Sequence, residues 1–164
     1  MYFSSTRYIA HRGNTNGRDP TRENTPAYID QALKDGFDVE IDVWVINGDI
    51  YLGHDGPETS IGLDFLELRK DNLWCHAKNL DALCMLVDKE YHCFSHDTDN
   101  YILTSRGFIW AFPGQDLNEK TICVMPERAQ YSDKDLQSCV AICSDLVCPL
   151  RAKFGENIPV SQDE

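Results

Sequence analysis

Apolar residues along the chain fall into short runs separated by polar turns, and these runs predict eight β-strands. Runs of four to eight residues that are bounded by turn residues are typical of strands rather than of helices. The predicted strands span residues 8–11, 37–43, 49–53, 72–78, 92–95, 107–111, 121–125 and 141–144.

Apolar stripes of helical period lie between some of these strands and predict three helices. The first begins with Thr25 as its cap and ends at Gly36, which agrees with the residue preferences of helix ends. A second spans residues 80–89 after Asn79, and a short third follows Ser132. Strands that alternate with helices are typical of α/β proteins with a parallel sheet, so we expect that architecture here.

The predicted second strand is unusual because one of its faces is entirely acidic. A period of two places Asp38, Glu40 and Asp42 on one face and apolar residues on the other. Carboxylates that are buried together without a cation raise one another's pKa and cost stability. Either this face is solvated at a sheet edge, or Glu40 and Asp42 ligate one divalent cation, which is the interpretation we favour.

Two histidines occupy positions where α/β folds place functional side chains. His11 and His54 each follow an apolar strand and precede a glycine or an Asp-Gly turn. Beside a metal-bound anion, two such histidines can serve as general base and general acid. Arg12, next to His11, offers a fixed cationic fork that suits a phosphate group.

Composition and charge restrict the classes of protein that fit these residues. The chain has 164 residues, enough for one domain, and its net charge of −12 argues against nucleic-acid binding, which relies on exposed Lys and Arg. It has no apolar run of the ~20 residues that a membrane span needs and no signal-peptide pattern, so we expect a cytoplasmic protein. The seven cysteines contain no CxxC pair, which favours reduced, mostly buried thiols.

The order of these residues is similar to that of a known enzyme family. The chain resembles the glycerophosphodiester phosphodiesterase family, within the phosphatidylinositol-phospholipase-C-like superfamily, in His11-Arg12-Gly13, Glu23-Asn24-Thr25, Glu40-x-Asp42 and His54-Asp55. Two later matches are weaker. They are His76-x-Lys78, where the family has Glu-x-Lys, and Ser144-Asp145, where it has Thr-Asp at the last strand.

The resemblance implies a TIM barrel and a metal-dependent phosphoric diester hydrolase acting on a small or lipid-derived phosphodiester. It also implies that His11 and His54 are the catalytic acid/base pair. The other roles it implies are phosphate binding by Arg12 and Lys78, metal ligation by Glu40 and Asp42, and a supporting contact from Glu23.

His76 departs from the family pattern because it replaces an anionic carboxylate with a neutral imidazole. The family implies magnesium or calcium as the divalent ion. If His76 is the third ligand beside Glu40 and Asp42, a softer ion such as manganese or zinc becomes more plausible. His76 is otherwise a structural residue, and the sequence leaves both interpretations open.

Weaker candidates also follow predicted strands. Glu127 is a further candidate ligand. His96 lies in a polar segment that either reaches the same end of the sheet or is an ordinary solvated loop. Trp110, Phe112 and Pro113 can form an apolar wall of a pocket or can belong to the core.

Chain length restricts the barrel that the resemblance implies. Eight strand-helix units in 164 residues leave about 20 residues for each, against roughly 31 in a barrel of about 250 residues. We therefore expect a compact (β/α)8 TIM barrel with several short or missing outer helices, built by residues 1–153 as one domain, with a weakly anchored tail over 154–164. Two alternative functions stay open: a non-catalytic phosphate- or metal-binding module, and a cyclising phospholipase D-like enzyme.

Overall fold

The structure is a computed structural model that describes residues 7–155. Its strands are β1 (Arg7–His11), β2 (Asp38–Ile46), β3 (Asp49–Leu52), β4 (Thr59–Ile61), β5 (Leu73–Ala77), β6 (Cys93–Phe94), β7 (Tyr101–Leu103), β8 (Ile109–Ala111), β9 (Thr121–Val124) and β10 (Ala141–Ser144). Its helices are α1 (Pro26–Lys34), α2 (Leu63–Glu67), α3 (Leu80–Asp88), α4 (Asp133–Ser138) and α5 (Val147–Phe154).

The strands form one curled, mixed sheet. Seven of them run parallel in the order β6-β5-β2-β1-β10-β9-β8. The other three pair in antiparallel fashion: β7 with β8, β3 with the second half of β2, and β4 with β3. Strands β6 and β7 do not pair with each other within residues 7–155, so the sheet stays open as a half-barrel.

The predicted helix-flanked (β/α)8 TIM barrel is therefore wrong. The predicted strand over 49–53 is not a new parallel unit, because Asn47 and Gly48 adopt positive φ values of 52° and 87° and turn the chain straight back along β2. Two such residues form the tight turn of an antiparallel hairpin. A second hairpin joins β7 to β8, so only five helices accompany the ten strands in the described part of the chain.

The acidic face of β2 lies inside the curl of the sheet. Val39, Ile41 and Val43 on its other face are fully buried, and α1 and α3 pack on the same strand. The solvent-exposed fraction is only 7% for Asp38, 3% for Glu40 and 1% for Asp42. The solvated-edge interpretation is wrong, because β1 and β5 cover both sides of β2.

The three predicted helices are confirmed, although one predicted cap is not. Asn79 accepts the N–H of Ala82 at 3.0 Å, and Ser132 forms a capping box with Asp135. The Thr25 hydroxyl instead donates to the carbonyl of Arg22. No helix within residues 7–155 combines the length and apolarity that crossing a membrane requires.

Helices α2 and α5 and strands β4 and β7 were not predicted, because their apolar patterns are short and irregular. The predicted tail begins at Phe154, which is the last residue of α5. Most of that tail, residues 156–164, lies outside the described residues.

Candidate active site

One cavity of about 390 Å³ opens where the parallel strands end, and it gathers most of the predicted site residues. The chain reaches it from the end of β1, the interior face of β2, the loop after β3 and the end of β5. The predicted residues that line it are His11, Arg12, Glu40, Asp42, His54, His76 and Lys78. Glu23 stands behind this lining and contacts Arg12.

His11 is oriented by a carboxylate from the far end of the chain. Its Nδ1 lies 2.7 Å from Oδ1 of Asp145, which follows β10 and also accepts a hydrogen bond from Asn14 at 2.9 Å. Because an ionised carboxylate only accepts hydrogen bonds, Nδ1 carries the proton and Nε2 is left for chemistry. Burial lowers the pKa of His11, but the bond to Asp145 and the charge of Glu40 outweigh it and raise that pKa above its ordinary value.

Arg12 sits in a left-handed backbone conformation with φ of 54°, which is uncommon for a long side chain. This conformation aims its backbone N–H at the carboxylate of Glu40, 3.2 Å away. Its guanidinium binds Glu23 at 3.2 Å. The Nε is buried 3.3 Å from Asp42, in an ion pair that falls short of hydrogen-bond geometry.

Asp42 is surrounded by donors on both carboxylate oxygens. Oδ2 accepts the Asn24 amide at 2.9 Å and lies 3.4 Å from Nδ1 of His54. Oδ1 lies 3.0 Å from Nδ1 of His76 and 3.6 Å from Nζ of Lys78. Burial raises the pKa of Asp42, but these partners reverse that effect and hold the pKa well below its usual range.

Glu40 has fewer partners than Asp42, and its pKa moves in the opposite direction. Burial, followed by repulsion from Asp42, raises the pKa of Glu40 above its ordinary value. His11 Nε2 lies 3.9 Å from its Oε2. A cation placed here would relieve the repulsion between the two carboxylates.

Glu40, Asp42 and His76 together fit a divalent metal ion. All three are buried, and their candidate ligand atoms lie within 4.8 Å of one another. Nδ1 of His76 lies 3.0 Å from Oδ1 of Asp42, and a ring nitrogen of this imidazole binds a cation when it carries the lone pair. Two carboxylates with one imidazole suit manganese or zinc better than calcium, which prefers oxygen ligands only.

His76 is held in place by a column of stacked rings. Its ring lies 5.1 Å from that of Phe94 and 4.5 Å from that of His96, with planes tilted by only 11° and 10°. Phe94 in turn stacks on Trp110 at 4.5 Å. This packing fixes the imidazole before any ligand arrives, and it places the candidate residue His96 on the cavity wall.

His54 is positioned by the hairpin that replaced the predicted parallel unit. The strand β3 returns along β2, so that the N–H of Gly53 bonds the carbonyl of Asp42 at 3.2 Å. Trp44 donates its indole N–H to the carbonyl of Gly53 at 2.7 Å. His54 therefore reaches the mouth of the cavity, where its side chain is 42% exposed.

Three residues, Asn14, Asn24 and Glu127, support the site through hydrogen bonds that the sequence did not predict. Asn14 bridges Glu23 and Asp145, both at 2.9 Å. Asn24 belongs to the Glu23-Asn24-Thr25 motif, but the spacing of that motif does not predict its hydrogen bond to Asp42. Glu127 is not among the clustered candidate ligands; it accepts the hydroxyl of Ser144 at 2.9 Å and the N–H of Asp145 at 3.1 Å.

Comparisons with protein-family models, curated proteins and solved structures gave no match for this chain. The resemblance to the glycerophosphodiester phosphodiesterase family thus stays a prediction that rests on the motifs. The geometry of the cavity is independent of that resemblance.

Proposed function

We propose that the protein is a metal-dependent phosphoric diester hydrolase that uses His11 and His54 as its acid/base pair. The observation that carries this proposal is the convergence of these histidines, two cationic side chains and the Glu40-Asp42-His76 group on one cavity. A site that only binds phosphate has no need of two histidines beside its cations.

The residues divide into those that hold the phosphodiester and those that move protons. Arg12 and Lys78 both line the cavity and offer cationic N–H donors to the phosphoryl oxygens. A divalent ion held by Glu40, Asp42 and His76 would supply further neutralisation of the charge that develops on those oxygens.

Proton transfer is assigned to the histidine pair as a unit. Asp145 fixes His11 so that Nε2 can accept or donate a proton. One histidine takes a proton from the nucleophile, and the other gives a proton to the departing alkoxide. The nucleophile is either water or a neighbouring hydroxyl of the substrate, and the second case yields a cyclic phosphate.

The test is turnover of glycerophosphodiesters and lysophospholipids with magnesium, calcium, manganese or zinc, followed by phosphorus NMR of the products. We expect His11→Ala and His54→Ala each to lower kcat by at least about 100-fold. A matched control is His92→Gln, because His92 lies outside the cavity and bonds Thr104 at 2.9 Å. Activity that survives both cavity substitutions, in variants with unchanged circular dichroism, refutes the mechanism.

A further inference from the structure

The cavity has two chemically different walls. The charged wall comes from β1, β2, β5 and the loop after β3, and it holds every residue assigned above to phosphate, metal or proton transfer. The opposite wall comes from β6 to β9 and is apolar, with Phe94, Ile102, Trp110, Phe112, Val124 and Met125 along it.

On the apolar wall, Phe112, Val124 and Met125 carry no N–H or O–H group in their side chains. The apolar members of this wall other than Phe112 are each less than a tenth exposed. His96, which stacks on His76 where the two walls meet, keeps a buried Nδ1 without a hydrogen-bond partner. Two other polar residues of this wall, Asp97 and Arg128, line the cavity but are exposed to solvent at its rim. A hydroxyl placed against Phe112, Val124 and Met125 would lose water without gaining a side-chain partner there, which is unfavourable.

Stacked rings connect the two walls, and this connection limits the directions in which the ester arm of a bound phosphate can extend. The ring column from His76 through Phe94 to Trp110 runs from the charged wall into the apolar one. On the charged side, Arg12, Asp42 and His76 are already bonded to one another or to their supports. An ester arm leaving the phosphate therefore finds its space on the apolar side.

Resting on the proposed function, we infer that the substrate is a phosphodiester with one apolar arm, alkyl or aryl, that packs against Phe112, Val124 and Met125. A polyol arm such as glycerol does not fit this subsite. The half-exposed ring of Phe112, 48% accessible, stands at the mouth, where a longer arm would leave the cavity.

The test is calorimetric binding of phosphate monoesters to the manganese-loaded protein, which needs no turnover. The central comparison is propyl phosphate against glycerol 3-phosphate, because the two arms have the same carbon skeleton and differ in their hydroxyl groups. We expect propyl phosphate to bind at least tenfold more tightly, and affinity to rise up to about fourfold for each methylene that the wall buries. Dodecyl phosphate distinguishes the source: a further gain over hexyl phosphate indicates a long-chain, lipid-derived ester, and a plateau at hexyl phosphate indicates a small one.

Two variants locate the effect. Phe112→Ala should flatten the dependence on chain length while inorganic phosphate binds as before. Leu103→Ala is the matched control, since Leu103 is 72% exposed and does not line the cavity, and it should leave that dependence unchanged.

Equal affinity for propyl phosphate and glycerol 3-phosphate, or a chain-length dependence that survives Phe112→Ala, overturns the inference. Failure of every phosphate monoester to bind does so as well. The proposed hydrolase function is tested separately, by turnover. Hydrolysis without a preference for the apolar arm supports the hydrolase and contradicts the apolar subsite. Binding that prefers the apolar arm, without turnover in the presence of any metal, supports the subsite and contradicts the hydrolase.

Discussion

Asn24 offers a quantitative test of how the acidic face of β2 is held inside the sheet. Its amide donates to Oδ2 of Asp42 at 2.9 Å, and its carbonyl oxygen accepts the backbone N–H of Asp42 at 3.0 Å. Asn24 is only 2% exposed and has a φ of 55°. Substitution by alanine removes both hydrogen bonds and leaves a β-carbon in a left-handed conformation.

The expected cost of Asn24→Ala follows from these contacts. A hydrogen bond to a charged acceptor contributes about 1.5–3 kcal/mol, and a buried N–H left without a partner costs about 1–3 kcal/mol. The left-handed backbone adds roughly 1–2 kcal/mol for alanine. Against a typical total stability of about 5–15 kcal/mol, the variant should fold but lose a large part of its stability.

Asn47→Ala is the matched control for the backbone contribution. Asn47 has nearly the same φ, 52°, but is exposed in the turn between β2 and β3. In urea denaturation at neutral pH, we expect the free energy of unfolding to fall by about 2.5–6 kcal/mol more for Asn24→Ala than for Asn47→Ala. Equal losses would show that the bonds to Asp42 contribute nothing and would refute the reasoning.

Three further predictions address the candidate site. Asp145→Asn should lower the pKa of His11, measured by NMR titration of its imidazole. The raised pKa of His11 in the folded state stabilises the protein below about pH 6.5, and this stabilisation is lost as the pH rises through the raised value. The variant should therefore also lose part of this pH dependence of stability. His76→Glu should raise calcium affinity and lower zinc affinity in calorimetry, and an unchanged preference contradicts ligation by His76. Gly53→Ala should lower stability by about 1–3 kcal/mol in thermal unfolding, because its β-carbon would clash with the carbonyl oxygen of Gly56; a variant as stable as the wild type contradicts the tight loop that positions His54.

The strands that carry the site could be predicted from the sequence because their patterns are local. The alternation in β2 placed Glu40 and Asp42 on one face, and the structure buries that face beside His76. The spacing of His76 and Lys78 likewise placed both at the end of β5. The order of the motifs along the chain was therefore enough to predict residues that line the cavity.

The pairing of strands could not be predicted in the same way. Asn47-Gly48 is a strong hairpin signal, but the following apolar run also fits a parallel strand, and the alternation of elements favoured that interpretation. Long-range partners are a second limit. Asp145 lies 134 residues from His11, and no local pattern shows that β10 pairs with β1.

The pairing of β1 determines when the site can form as the chain is synthesised. One edge of β1 pairs with β2, but the other pairs with β10, so that Ile9 lies beside Cys143. Until β10 leaves the ribosome, β1 keeps an unpaired edge that invites mispairing, and His11 lacks the carboxylate that sets its tautomer. A nascent chain ending before β10 is therefore expected to lack the assembled cavity, and contacts so distant in sequence predict slow folding of the released chain.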